Sequence, residues 1–82
     1  MTQIEGKFIT TLPSVVGYNI EESRGILIET SVLSANKALK DLVKKADELG
    51  CNALVNVKID SGPNGFVAYG EGVIVKEKPF SY

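Results

Sequence analysis

The chain has 82 residues, of which 44% are hydrophobic and 23% are charged, and its net charge is −1. This length suits one domain with one modest core, so we expect a single domain over residues 1–82. The balanced charge disfavours nucleic-acid binding, and the short apolar runs disfavour a transmembrane helix, a secretory leader and a membrane partner.

The sequence contains no His and a single Cys, Cys51. The commonest general base and an internal disulfide are therefore both missing. Because one Cys cannot form an internal disulfide, we expect a cytoplasmic protein. Because no catalytic motif is present, we expect that it is not an enzyme. A small chain without disulfides or cofactors often gains further burial by oligomerising.

The first half of the chain predicts two strands. Residues Met1–Gly6 have the composition of a polar lead-in, and Lys7–Leu12 has a strand pattern that Pro13 ends. Tyr18–Ser31 alternates as a long strand, and the glycine inside it, Gly25, predicts a bend.

A helix over about residues 36–49 follows, with Ser34 or Asn36 as its N-cap. Its apolar residues recur at spacings of three and four and so form one stripe. They are Ala38, Leu39, Leu42, Val43, Ala46 and Leu49. Gly50 is placed to end the helix in a left-handed turn.

The last third of the chain predicts a hairpin. Residues Ala53–Asp60 alternate, so Val55, Val57 and Ile59 are expected on one buried face. A turn over residues 61–65 leads to a return strand, Phe66–Val75. Gly70 and Gly72 in that strand predict a flat groove that another backbone or a helix could approach closely.

Several short segments, in order along the chain, resemble the small bacterial and archaeal proteins called YbjQ-like, a family often labelled heavy-metal-binding. The segments are Thr10-Thr11, Gly17-Tyr18-Asn19-Ile20, Gly25, Leu49-Gly50, Asn52-Ala53-Leu54-Val55, Lys58-Ile59-Asp60, Ala68-Tyr69-Gly70 and Val73. The resemblance implies an α+β, dodecin-like subunit in which a curved antiparallel sheet of about four strands packs on one helix. It also implies a ring-shaped homopentamer built through strands of adjacent subunits.

Two features depart from the family pattern. The link Ser31–Asn36 is short where family members commonly carry a long insertion, which puts family features built on that insertion in doubt. Cys51 stands where the family usually has Ala. In this respect the chain resembles an archaeal selenium-binding variant of the group, of similar size and thought to use a lone cysteine.

Cys51 is therefore the candidate ligand for selenium or a soft metal ion, close to solvent at the joint between helix and strand. The negative helix end disfavours a thiolate there, whereas Lys45 and Lys58 would favour one. One thiol per chain is too few for a metal site, but a ring would bring several copies together. The alternative is that Cys51 is a small packing residue.

Glu71 interrupts an otherwise apolar strand face. It is either a carboxylate ligand or inter-subunit ion-pair partner, or a charge on a solvent-facing strand edge. Two main functional hypotheses follow: an oligomeric protein that sequesters or carries selenium or a soft metal through Cys51, and a structural or partner-binding ring without that chemistry. A third, an enzyme, is the weakest, because without His or a catalytic motif it needs a site composed from several subunits.

Overall fold

One α-helix and five β-strands make up most of residues 2–4 and 6–79, the part of the chain that this computed structural model describes. The elements are β1 (Thr2–Ile4), β2 (Lys7–Ile9), β3 (Tyr18–Ser31), α1 (Ala35–Glu48), β4 (Ala53–Gly62) and β5 (Gly65–Glu77). The strand order is β1-β2-β4-β5-β3. The α+β class is confirmed, but the expected antiparallel sheet of about four strands is wrong, because the sheet has five strands and is mixed.

The additional strand is β1, where the sequence predicted only a polar lead-in. It pairs antiparallel with β2 through Thr2 and Ile9 at one end and Ile4 and Lys7 at the other. Gly6, at φ 80°, makes the turn between the two strands. Met1 and Glu5 lie outside the described residues. Three residues are too few to show an alternating pattern, so this strand is defined by its pairing.

The sheet is mixed because β2 runs parallel to β4. Phe8 pairs with Ala53 and Ile9 with Leu54. The strand ends sooner than the predicted Lys7–Leu12, because the chain turns after Thr10. The Thr10 hydroxyl oxygen accepts a hydrogen bond from the Leu12 N–H at 3.1 Å, which stabilises that turn.

The helix begins and ends close to the predicted positions. Ser34 is the N-cap: its hydroxyl oxygen accepts the Lys37 N–H at 3.0 Å. Four residues of the predicted apolar stripe are buried against the sheet: Ala38, Leu42, Val43 and Ala46. Leu49 is instead 42% exposed, because it lies beyond the last turn of the helix.

The predicted bend of the long strand is confirmed. Gly25 has φ 87°, and the pairing of β3 with β5 shifts register between Ser23 and Ile26. A residue with a side chain would be strained at that φ. The bulge lets a 14-residue strand follow the twist of its neighbour.

The strand β4 has a bulge of its own at Asn56, which has φ 54°. The register with β5 shifts between Val55 and Lys58, and the extra residue reverses the side-chain alternation. Val57 therefore packs on the helix side of the sheet, and Val55 packs in a separate cluster on the other side. The prediction that Val55, Val57 and Ile59 share one buried face is wrong for this reason, and Ile59 is 42% exposed.

The core accordingly has two parts. The larger lies between α1 and the sheet. The smaller covers the opposite sheet face at one end only, and consists of Val15, Ala53, Val55, Val73 and Val75. The rings of Phe8 and Tyr18 pack against it with their centroids 4.8 Å apart. Beyond the bulges at Gly25 and Asn56, no comparable cluster among residues 2–4 and 6–79 covers this opposite face.

Candidate functional site

The joint between α1 and β4 has the geometry that the sequence predicts. Gly50 adopts φ 78° and ends the helix. The N–H of Cys51 returns to the Ala46 carbonyl oxygen at 2.9 Å, which satisfies a helix-end acceptor. The Arg24 Nε atom donates to the Leu49 carbonyl oxygen at 3.2 Å. Backbone and side-chain hydrogen bonds therefore both fix the direction in which Cys51 points.

The Cys51 side chain points into the core and not toward solvent. It is 2% exposed and belongs to the cluster between helix and sheet. Its Sγ atom lies against Gly72 of β5, beside the Leu27 side chain. The expectation of a thiol close to solvent is wrong. The turn at Gly50 directs the Cβ atom of Cys51 inward, and Gly72, which has no side chain, leaves room there for the sulfur.

The surroundings of Cys51 disfavour a thiolate. Burial raises the pKa of the thiol above its ordinary value, and the charge of Glu22 acts in the same direction. The charges of Arg24 and Lys7 oppose this effect without overcoming it. These two cations, and not Lys45 and Lys58, act on the sulfur.

The described residues also provide no ready metal centre: nowhere in 2–4 or 6–79 do three or more Cys, Asp or Glu side chains group to hold an ion. The Cys51 thiol is free. Within one chain the candidate site therefore consists of one buried sulfur, and a soft ligand would have to displace packed side chains to reach it.

Glu71 is not on a sheet edge, since β5 lies between β4 and β3. It pairs with Val55 on one side and Ile26 on the other, and each of those strands is bulged nearby. Its carboxylate accepts a hydrogen bond from the Ser23 hydroxyl. The solvent-facing edge interpretation is wrong, and Glu71 is a half-buried carboxylate in the middle of the sheet.

Glu71 borders a surface that the sequence pattern did not identify, which we call the open half-face. It is the part of the sheet opposite the helix and beyond the bulges. Its members are Ile26, Ile28, Lys58, Tyr69 and Glu71. Ile26 is 75% exposed and Ile28 is 54% exposed, whereas Leu27 between them is buried on the helix side. The Tyr69 hydroxyl donates to Asp60 at 3.0 Å.

A second surface missed from sequence is a cleft of about 590 Å³ beside β4. Its apolar lining comes from Ile4, Ile9, Leu39, Val57 and Ile59, and the rest from Thr10, Thr11, Lys58 and Asp60. The cleft exists because the chain after β2 departs from β4 beyond Val57. That departure has no strong sequence signal, since Lys7–Leu12 alternates to its end.

No protein-family model matches the chain. Among curated proteins, a UPF0145 protein of Bradyrhizobium is 36% identical over 78 residues, covering 89% of this chain and 67% of the relative. The chain belongs to the UPF0145 family. A UPF0145 protein of Thermoplasma acidophilum is 32% identical over 88% of this chain and 61% of its own length. The YbjQ-like resemblance is thereby confirmed at the level of the family.

This UPF0145 chain spans about three fifths to two thirds of the length of the curated relatives that it matches. Among solved structures, a protein of unknown function from Pediococcus pentosaceus, which belongs to the DUF74 family, superposes with a TM-score of 0.59. The match covers 90% of this chain and all of that one at 24% identity, and it supports the fold alone. In the described part of the UPF0145 chain, no helix has the length and hydropathy needed to cross a membrane.

Proposed function

We propose that this UPF0145 protein is a self-assembling, non-enzymatic subunit of the cytoplasm in which the open half-face is buried against a neighbouring copy. This is the structural, partner-binding alternative drawn from the sequence. The observation that carries it is the exposure of Ile26 at 75% and Ile28 at 54% on an otherwise regular sheet face. Contiguous exposed apolar residues of this kind are typical of interaction surfaces.

A second copy is favoured as the occupant because the open half-face carries both signs of charge beside its apolar residues. Lys58 and Glu71 both lie on it, and neither is in any of the ion pairs found among the described residues. In a ring, the two surfaces that meet at each contact differ, so Lys58 and Glu71 would pair with oppositely charged residues on a different surface of the next copy. The YbjQ-like resemblance supports a ring of five such copies.

The competing function is sequestration of selenium or a soft metal ion through Cys51. A thiol that is 2% exposed and whose pKa is raised by burial is a weaker candidate than the sequence suggested. Our proposal therefore assigns Cys51 a packing role. Selenite loading of the wild type and of Cys51→Ala separates the two functions: equal loading supports packing, and loading lost with the thiol supports sequestration.

Light scattering coupled to size exclusion tests the assembly. We expect wild-type protein to have a mass that is a multiple of the chain's 8.8 kDa, five-fold for the ring. The double variant Ile26→Lys, Ile28→Lys should lower that mass, because it places new positive charges in the interface. The matched control is Val32→Lys, which changes a residue that is 79% exposed beyond the end of β3. A monomeric wild type, or a double variant with the wild-type mass, would contradict the proposal.

A further inference from the structure

The cleft beside β4 is bordered by a strand edge that lacks backbone partners. The Val57 N–H donates to the Thr10 carbonyl oxygen at 3.1 Å, so Val57 presents its backbone groups toward the β2 side. Alternate residues of a strand point the same way, so the N–H and C=O of Ile59 and Ser61 face that side also. Within residues 2–4 and 6–79, no strand pairs with them there, because the backbone hydrogen bonds from β4 to β2 and to the segment after it end at Val57.

The other long edge of the sheet is protected, which makes the β4 edge distinctive. The outer strand β3 carries Glu21, Glu22, Arg24 and Glu29 and is interrupted by two register shifts. Charges and bulges on an edge strand discourage the addition of another strand. The β4 edge from Val57 to Asp60 instead lies beside apolar side chains of the cleft, which Leu39 of the helix also lines.

We propose that this cleft binds a short extended peptide segment of a partner protein, which adds to the free edge of β4 and inserts one apolar side chain among Ile9, Leu39 and Val57. In strand addition, main-chain hydrogen bonds provide affinity and a pocket for alternate side chains provides specificity. The cleft supplies both elements, since Ile59 of the free edge borders the apolar pocket and Ser61 continues that edge beyond it. The cleft shares Lys58 with the open half-face, but its apolar lining and the free backbone of Ile59 do not belong to that half-face, so the inference does not depend on self-assembly.

The size of the site favours a peptide over a second copy of the chain. Four residues of β4 border the cleft, and a paired strand of that length is about 13 Å long. A stable interface between two folded proteins buries roughly 800 Å² on each partner. A cleft of about 590 Å³ bordered by a four-residue edge is too small for that alone, but it accommodates four or five residues of an extended chain.

The test uses the 82-residue chain and a fluorescein-labelled peptide, Ser-Ile-Thr-Ile-Ser, and binding is followed by fluorescence anisotropy. We expect saturable binding that weakens by about tenfold when the peptide amides facing β4 are N-methylated, because hydrogen bonds are lost. Ile59→Pro should weaken binding similarly, since it removes the outward N–H from an edge position where proline is tolerated. Ile59→Val, which keeps the N–H and a β-branched side chain, is the matched control and should bind like the wild type.

A second pair of variants applies if Ile59→Pro does not fold. Leu39→Asp places a charge in the pocket and should abolish binding, whereas Leu33→Asp, at a position 76% exposed outside the cleft, should not change it. The proposal is overturned if anisotropy stays flat up to about 1 mM protein, or if N-methylation and Leu39→Asp leave affinity unchanged. It is also overturned if Ile59→Pro lowers the oligomeric mass and not the peptide affinity, since a second copy would then occupy the edge.

Discussion

The sulfur of Cys51 occupies the space opposite Gly72. A Cβ atom added to Gly72 would lie 2.9 Å from Cys51 Sγ and 2.9 Å from Leu27 Cδ1, closer than packed carbon and sulfur atoms approach. A Cβ atom added to Gly70 would likewise lie 2.9 Å from a Val57 methyl group. The predicted flat groove for another backbone or a helix is wrong, because the chain's own side chains fill the space beside both glycines.

Gly72→Ala should therefore destabilise the protein. The added methyl group must displace Cys51 or Leu27 in a packed core, and such overpacking typically costs about 1–3 kcal/mol. Urea denaturation followed by circular dichroism measures the free energy of unfolding. The backbone itself would accept alanine, since Gly72 does not have a positive φ.

The control for Gly72→Ala is its combination with Cys51→Ala. Removing the sulfur opens the space that the new methyl group needs, so the double variant should be more stable than the sum of the two single effects predicts. The coupling energy of contacting residues is typically about 0.5–3 kcal/mol. Strict additivity would show that Cys51 does not pack against Gly72.

The reactivity of Cys51 should reflect its burial. Native protein is expected to react with a thiol-specific reagent far more slowly than urea-unfolded protein, because the sulfur is 2% exposed and the thiolate is the reactive form. The reactivity should also begin at a higher pH than that of a free thiol, since burial raises the pKa of Cys51. Equal rates in native and unfolded protein would contradict this account.

The same raised pKa of Cys51 makes a prediction about stability at alkaline pH. The Cys51 thiol holds its proton more tightly in the folded state than in the unfolded state. The protonated thiol therefore makes its full contribution to folding stability below the ordinary pKa of 9.0. It is lost as pH rises through the raised folded value. The free energy of unfolding should fall more steeply above pH 9.0 in wild-type protein than in Cys51→Ala. Parallel pH profiles would show that burial leaves this pKa unshifted.

The elements that sequence predicts well are those with a local signal. The helix has a capping serine, a stripe at spacings of three and four, and a terminal glycine, each acting within a few residues. The bend of β3 has a glycine at the bulged position, where φ is positive. In both places local chemistry and tertiary structure favour the same conformation.

The elements that sequence misses depend on distant partners. The strand β1 exists through pairing with β2, and β2 is parallel to a strand more than forty residues away. The bulge at Asn56 interrupts an unbroken alternation of Val55, Asn56, Val57 and Lys58, so periodicity alone assigns Val55 to the wrong side. The inward direction of Cys51 depends on Gly72, which lies in another strand. The sequence around the joint between α1 and β4 therefore does not predict that direction.

The Asn56 bulge can be tested directly. Strand propensity would favour valine at this position, but Asn56 has φ 54°, where a β-branched side chain clashes with its own backbone. Asn56→Val should therefore cost about 1–2 kcal/mol in the free energy of unfolding. Asn56→Gly, the matched control, accommodates a positive φ and should be at least as stable as Asn56→Ala. If Asn56→Val were as stable as the wild type, the strand would not be bulged at this residue.

Tyr69 provides a titration that reports on the open half-face. The hydrogen bond from its hydroxyl to Asp60 raises the pKa of Tyr69 above the ordinary value of 10.0, and burial and the charge of Asp60 add to this effect. Asp60→Asn should lower that pKa, because the acceptor loses its negative charge. Absorbance of the ionised phenol measures the change, and Tyr69→Phe identifies which transition belongs to Tyr69. If Asp60→Asn left the Tyr69 transition in place, the hydrogen bond would not persist in solution, and burial of the open half-face would have to account for the raised pKa.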